Sequence, residues 1–212
     1  MPGLYIITGS NGAGKSSVGS YYLPPHIQQD CTIFDGDKLF LQKQKELWQS
    51  GITAHKEARK LAYQFVTDSF DNLEREALEQ SFDFAYEGHF TNEATWDIPK
   101  KFKTAGYHTF MLFLGLTDVK LSLNRVAARA KEGGHYVDPN TVTANFYGNL
   151  EKLNIYYSLF DKLEIIDTSE TNHVSLAIFQ NGNPQNHLPS ASLPEWFQNY
   201  LPSLVNKIKA KE

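Results

Sequence analysis

Leu4-Tyr5-Ile6-Ile7-Thr8-Gly9-Ser10-Asn11-Gly12-Ala13-Gly14-Lys15-Ser16 is the stretch on which the reading of this chain turns. Its first five residues form a short apolar run of β-branched and aromatic types that stops at a glycine, the signature of a buried strand. From Gly9 to Ser16 the pattern G-x-x-x-x-G-K-[ST] is met at every fixed position, between that strand and a plausible helix. The chemistry needs these types. Glycines let backbone N–H groups turn toward phosphate oxygens, and a following helix N-terminus adds a favourable dipole. Lys15 is expected to neutralise the outer phosphates, and the Ser16 hydroxyl to ligate Mg²⁺. Gly9, Ser10, Asn11, Gly12, Ala13, Gly14, Lys15, Ser16 and Ser17 are therefore the predicted nucleotide-binding residues.

Outward from this loop, further short apolar runs read as strands: Thr32–Phe34, Phe82–Tyr86, His108–Leu114 and Glu164–Asp167. Segments of helical spacing lie between them: Thr53 to about Gln80, Glu93–Thr104, Asp118–Lys131 and Pro139–Leu159. Alternation of this kind predicts an α/β fold of three layers, with a mainly parallel sheet between helices. Domain boundaries follow: a nucleotide-binding domain over 1–180, then a tail over 181–212. In the tail, Asn181–Asn186 reads as a polar turn between an edge strand (Val174–Phe179) and a closing helix from about Leu193, packed on the same domain.

Composition narrows the function. The 212 residues carry 20 basic and 24 acidic side chains, a formal charge of −4, whereas a nucleic-acid binder normally shows a basic excess. Cys31 is the single cysteine, which excludes an intramolecular disulfide and disfavours a cysteine-built zinc site. No apolar run approaches 18 residues, and no basic-then-apolar leader opens the chain, so the expectation is a cytoplasmic protein without nucleic-acid or membrane partners.

The carboxylates refine the class. Asp35-Gly36-Asp37 follows the second strand, at the sheet end where a parallel α/β fold holds its ligands. A carboxylate there can accept a hydroxyl proton as the acceptor oxygen attacks phosphorus. Read alone, the triplet is an ordinary D-G turn. Glu87 and His89 close the third strand in the same way, so Asp35, Glu87 and His89 are the expected substrate-binding residues, although a lone histidine is more often structural. No N-K-x-D guanine element and no L-S-G-G-Q signature occurs. Leu163–Asp167 resembles a Walker-B strand spoiled by Glu164. A small-molecule kinase fits better than a GTPase or a transport ATPase. Arg125 and Arg129, four apart on one helical face and followed by Gly133-Gly134, suggest a lid over about 125–140 that closes on ATP.

Together these residues resemble the zeta-toxin-like P-loop kinases. The discriminating segment is Arg125-Val126-Ala127-Ala128-Arg129-Ala130-Lys131-Glu132-Gly133-Gly134-His135-Tyr136-Val137, similar to the R-V-x-x-R-x-x-x-G-G-H-x-V of that family. The resemblance runs from about Leu4 to Thr168. It implies ATP-dependent phosphorylation of a sugar hydroxyl, with UDP-N-acetylglucosamine as the characteristic substrate and an antitoxin as partner. By position it makes Asp37 the general base, Lys15 the phosphate-loop lysine, Arg125 the arginine at the transferred phosphate, Arg129 a second arginine, and Glu87 the acid in the substrate cleft. Phe40 stands where toxins often carry Arg or Lys, and His89 where many carry Thr. The alternatives are a kinase of another small hydroxyl compound and a nucleotide-binding regulator with no acceptor.

Overall fold

The strand-forming runs of the sequence assemble side by side into one seven-stranded sheet. The computed structural model describes residues 1–52, 54–134 and 136–212. In chain order the elements are β1 (Gly3–Gly9), α1 (Lys15–Val18), α2 (Pro25–Asp30), β2 (Ile33–Asp35), α3 (Gly36–Gln49), α4 (His55–Gln80), β3 (Phe84–Gly88), α5 (Asp97–Thr104), β4 (His108–Gly115), α6 (Val119–Lys131), α7 (Pro139–Tyr156), β5 (Lys162–Asp167), β6 (Val174–Gln180), β7 (Asn183–His187), α8 (Glu195–Tyr200) and α9 (Pro202–Lys209). The strand order is β2-β3-β1-β4-β5-β6-β7. The first five are parallel, and β6 and β7 add antiparallel to them. β4 is buried at seven consecutive positions, so both of its faces are covered by helices, as in a three-layer α/β fold.

Parallel pairing brings the carboxyl ends of the strands to one edge. Thr8 of β1 lies opposite Gly88 of β3, and Asp35 of β2 opposite Glu87 of β3. The phosphate loop leaves β1 at this edge. Gly9 is obligatory there: its φ is +139°, and a Cβ would stand 2.2 Å from the Leu114 carbonyl oxygen.

Several expectations need correction. Asp35-Gly36-Asp37 is a helix start rather than a free turn, because α3 begins at Gly36 and the Asp35 side chain caps it by accepting from the Lys38 N–H at 3.0 Å. The helix after the phosphate loop is a single turn, continued as a 3₁₀ turn over Gly19–Tyr22 and stopped before Pro24-Pro25. The polar turn narrows to Asn181-Gly182, both at positive φ (48° and 73°), which closes a β6–β7 hairpin. β7 is thus the sheet edge, not β6, and Pro184 sits where an edge strand tolerates it. The closing helix is two helices broken before Pro202. Glu93–Trp96 is a 3₁₀ turn ahead of α5. Thr53, the expected start of α4, and His135 of the lid segment lie outside the described residues.

The tail joins the main core. Trp196, Phe197, Leu201, Leu204 and Ile208 are buried in one cluster with β1, β4 and β5. The Trp196 indole lies over Gly115, where a Cβ would approach it to 2.3 Å, and its Nε1 donates to Asp167 Oδ2 at 2.9 Å.

Candidate active site at the carboxyl edge of the sheet

Five successive carbonyls of the phosphate loop are tied back by side chains. Lys15 Nζ donates to the Gly9 and Ser10 oxygens at 3.0 and 3.1 Å. Ser122 Oγ of α6 donates to the Asn11 oxygen at 2.6 Å, and Arg125 to that of Gly12 at 3.2 Å. Thr168 Oγ1, just beyond β5, donates to the Ala13 oxygen at 2.8 Å. The N–H groups of Gly12, Gly14, Lys15 and Ser16 keep no acceptor among the described residues. A loop with its acceptors held and its donors free is an anion cradle. Because α1 is one turn long, its dipole is small, and the loop donors supply most of the field.

Ser16 Oγ donates to Glu87 Oε2 at 2.8 Å, which joins the loop to the end of β3. Burial raises the Glu87 carboxyl to about 7, with Asp35 and Asp37 adding to the rise while Ser16 and Lys15 oppose it. Burial likewise lowers the Lys15 ammonium to about 8, against the pull of Glu87, Asp37 and Asp35. Lys15 is still mostly charged at pH 7, and Glu87 is near half-ionised. A cavity of about 180 Å³ opens here, bounded by Gly14, Lys15, Ser16, Asp37, Glu87 and Arg129. A serine hydroxyl beside a carboxylate suits a divalent cation that takes its remaining ligands from phosphates and water, so these residues fit Mg²⁺. Among the described residues no group of three or more His, Cys, Asp or Glu forms a metal cage.

Asp37 stands across this cavity in the first turn of α3, and no hydrogen bond engages its carboxylate among the described residues. It also faces two adjoining spaces. One, of about 240 Å³, is shared with Lys15, Tyr63, Glu87 and His89; the other, of about 330 Å³, with Asn11, Arg59, Tyr63, Tyr136 and Asn145. Asp35 borders the first space while capping α3.

His89 is held by a buried hub. The side chain of Asn149, on α7, accepts at Oδ1 from Thr8 Oγ1 at 3.3 Å and from the Phe90 N–H at 2.6 Å. Its Nδ2 donates to the Asn145 oxygen at 2.6 Å and to His89 Nδ1 at 3.2 Å. With Nδ1 accepting, the imidazole proton lies on Nε2. Burial, and then the Lys15 charge, push His89 well below its ordinary pKa, so it is neutral at pH 7.

The two arginines differ. Arg125 is fully engaged: besides Gly12, its guanidinium donates to the Thr168 oxygen at 2.9 Å and to the Ser169 oxygen at 2.7 Å. Arg129 lines the cavity opposite Lys15 with no hydrogen-bond partner for its guanidinium among the described residues. Asp167 is turned away from the loop, toward Trp196 and the Ser169 N–H. Sequence reasoning missed Ser122, Thr168, Asn145 and Asn149. All four lie outside the motif, and the spacing of Asn145 and Asn149, one helical turn apart on a face of α7, is the one available signal.

The profile of the Zeta toxin family matches residues 1–176. An uncharacterized protein of Haemophilus influenzae is 26% identical over 136 residues, which is 63% of this chain and 85% of its own. Among solved structures, the AvrRxo1-ORF1:AvrRxo1-ORF2 complex with sulphate ions superposes over 95% of this chain, with a TM-score of 0.71 at 16% identity. The same pair with ATP gives 0.71 at 15%. The PezAT chromosomal toxin-antitoxin system of Streptococcus pneumoniae gives 0.56 at 19%, covering 82% of this chain and 71% of its own. This chain spans 64% of the AvrRxo1 chain that it matches. At such identities these structures speak for the shared fold alone. The family profile covers most of the sequence, phosphate loop and arginine helix included, and so the chain belongs to the Zeta toxin family.

Proposed function

We propose that the protein transfers the γ-phosphate of ATP to a hydroxyl group of a small molecule, and that the acceptor is a UDP-sugar such as UDP-N-acetylglucosamine. The observation that carries this reading is the pairing of a phosphate loop whose carbonyls are tied back with an unengaged carboxylate, Asp37, across a cavity of about 180 Å³. Lys15 meets the outer phosphates, with the loop donors beside it. Arg129 steadies the charge that spreads over the moving phosphoryl oxygens. Asp37 takes the hydroxyl proton of the acceptor. Glu87 and His89 border the acceptor side, while Asp35 fixes the start of α3 and with it Asp37. Mg²⁺ bound at Ser16 would neutralise phosphate charge. ATP in one structural neighbour and the complexed pairs among the others support an ATP site and an antitoxin partner here.

A regulator that only binds and hydrolyses nucleotide is the second reading, and the free Asp37 speaks against it, since a switch needs no acceptor base. Incubation with labelled ATP and a panel of UDP-sugars, followed by mass analysis, separates the two. The expected result is acceptor-dependent ADP release with one phosphorylated sugar, reduced about 100-fold or more in Asp37→Asn. Slow turnover that ignores every acceptor would favour the regulator.

A further inference from the structure

We propose a second anion site on α4, built on Arg59 with Lys56 and Lys60, that holds a phosphate or diphosphate carried by the acceptor itself. The proposal rests on the kinase reading and deepens it by naming how the acceptor is gripped.

Positions 56, 59, 60 and 63 fall at i, i+3, i+4 and i+7, so Lys56, Arg59, Lys60 and Tyr63 share one face of α4. That face continues the wall of the cleft. Tyr63 borders the space containing Lys15 and Asp37; Arg59 and Tyr63 border the next one, again with Asp37; and Arg59, Lys56 and Lys60 border a groove of about 410 Å³ beyond it. Seven residues of helix separate Lys56 from Tyr63, roughly 10 Å at 1.5 Å per residue. An acceptor whose hydroxyl reaches Asp37 can therefore extend its far end to these cations.

None of the three is held in an ion pair among the described residues, whereas Lys43, Lys100, Lys101, Lys103, Lys152 and Lys162 each pair with a carboxylate. The Arg59 guanidinium instead donates to Tyr63 Oη at 3.2 Å and lies 5.5 Å from its ring centre, which turns it toward the cleft. The charge order of α4 is also reversed. Lys56, Arg59 and Lys60 crowd the first two turns against the single acid Glu57, and Glu74, Glu76 and Glu79 crowd the last two against the single base Arg75, so the excess at each end is the one the helix dipole disfavours. This excess does not serve helix stability, and an anionic ligand would make use of it. Arginine suits a phosphate because its planar fork donates two parallel hydrogen bonds. Asp138, which lines the same space, caps α7 through the Asn140 and Thr141 N–H groups and forms no ion pair with these cations among the described residues.

The test is calorimetry with inorganic pyrophosphate on protein saturated with a non-hydrolysable ATP analogue, at fixed ionic strength, for wild type and Arg59→Gln/Lys60→Gln. Wild type is expected to bind one further equivalent of pyrophosphate, and the variant to bind it at least ten-fold more weakly while holding the analogue equally well. With a phosphorylated UDP-sugar identified, the variant should raise KM about ten-fold and leave kcat nearly unchanged, because these cations do not touch the reacting atoms. Absence of a second pyrophosphate equivalent, or binding indifferent to the substitutions, overturns the anion site while leaving the kinase reading standing. Arg59-dependent pyrophosphate binding in a protein that phosphorylates no acceptor does the reverse.

Discussion

The two walls of the cleft are built on opposite principles. On the phosphate-loop side every carbonyl from Gly9 to Ala13 has a donor, and Asn149 satisfies both ends of its amide. On the α3–α4 side Asp37 is unengaged and Arg59 and Tyr63 are exposed. The contrast teaches a division of labour. A phosphate chain is the same in every nucleotide, so its cradle can be fixed before binding and lose little entropy. An acceptor is particular, and groups left exposed in the free protein are available to discriminate it.

Removing the charge at the centre of the fixed wall gives the largest expected effect. Lys15→Ala should lower phosphoryl transfer by about 1000-fold, the upper range for loss of one preorganised charge stabiliser. Affinity for an ATP analogue should fall with it, measured by calorimetry. The melting temperature should change little, because relief of a buried ammonium pulled down to about 8 offsets the loss of its donors to the Gly9 and Ser10 carbonyls. Unchanged analogue affinity would break the assignment of this wall to nucleotide.

The arginines sharpen the comparison, since they stand one helical turn apart on the same face. Arg129→Ala should lower kcat by about 100-fold with little change in thermal stability, as its guanidinium has no partner to lose. Arg125→Ala withdraws donors from three carbonyls and should cost about 1–3 kcal/mol of stability, together with weaker nucleotide binding. Steady-state kinetics and denaturant melts on the two variants separate these outcomes. From sequence, Arg125 takes the phosphate and Arg129 the milder role; the hydrogen bonds of Arg125 shift that weight to Arg129.

What the sequence could and could not disclose follows from where each signal lives. Leu4–Ser16 carries strand, turn and loop chemistry in one contiguous stretch, so the phosphate loop is legible outright and β1 to within one residue at each end. The Lys15–Asp37–Glu87 gathering is legible too, since parallel strands must bring their ends to one edge. α3 is not, because its apolar residues are too sparse for a clear stripe and Asp-Gly imitates a turn. β7 is hidden by Pro184 and four polar residues, as an edge strand needs no apolar face. Ser122, Thr168 and Asn149 are invisible for a different reason. A tertiary hydrogen bond 53 or more residues away leaves no local pattern, and an ordinary serine, threonine or asparagine gives no sign of a partner.

One of those unseen residues supplies a smaller test. Thr168→Val removes the donor to the Ala13 carbonyl, while Gly115 keeps a donor in the Thr168 N–H. A destabilisation of about 1–3 kcal/mol is expected from the orphaned oxygen, read from denaturant melts. Analogue affinity should drop several-fold, since the loop behind the phosphates loses a fixed point. Full affinity in a destabilised Thr168→Val would detach the rigidity of this wall from its binding.

The smallest effect is a pH dependence located where the walls meet. Glu87 has its folded pKa raised from 4.5 to about 7, chiefly by burial, so between these values the folded state holds more of its proton than the unfolded state does. Stability must then fall as pH rises through that window, reaching its full penalty once Glu87 is ionised in both states. The shift sets an upper bound of about 3 kcal/mol, and the part-exposed position of the carboxylate screens it to less. Lys15 acts in a separate window: lowered to about 8, it adds stability only as pH climbs from there toward 10.5. Between pH 5 and 7 Lys15 adds no slope, and Glu87 acts against His89, whose lowered pKa makes stability rise with pH up to its ordinary value. Glu87→Gln keeps an acceptor for Ser16 Oγ but removes the titrating proton, so across pH 5–7 its melting temperature should climb relative to wild type, with the His89 contribution common to both. At pH 7.5 the variant should melt above the wild type. Parallel melting curves for the two proteins would mean that Glu87 is ionised at ordinary acidity and that the meeting point of the walls is wetter than its burial implies.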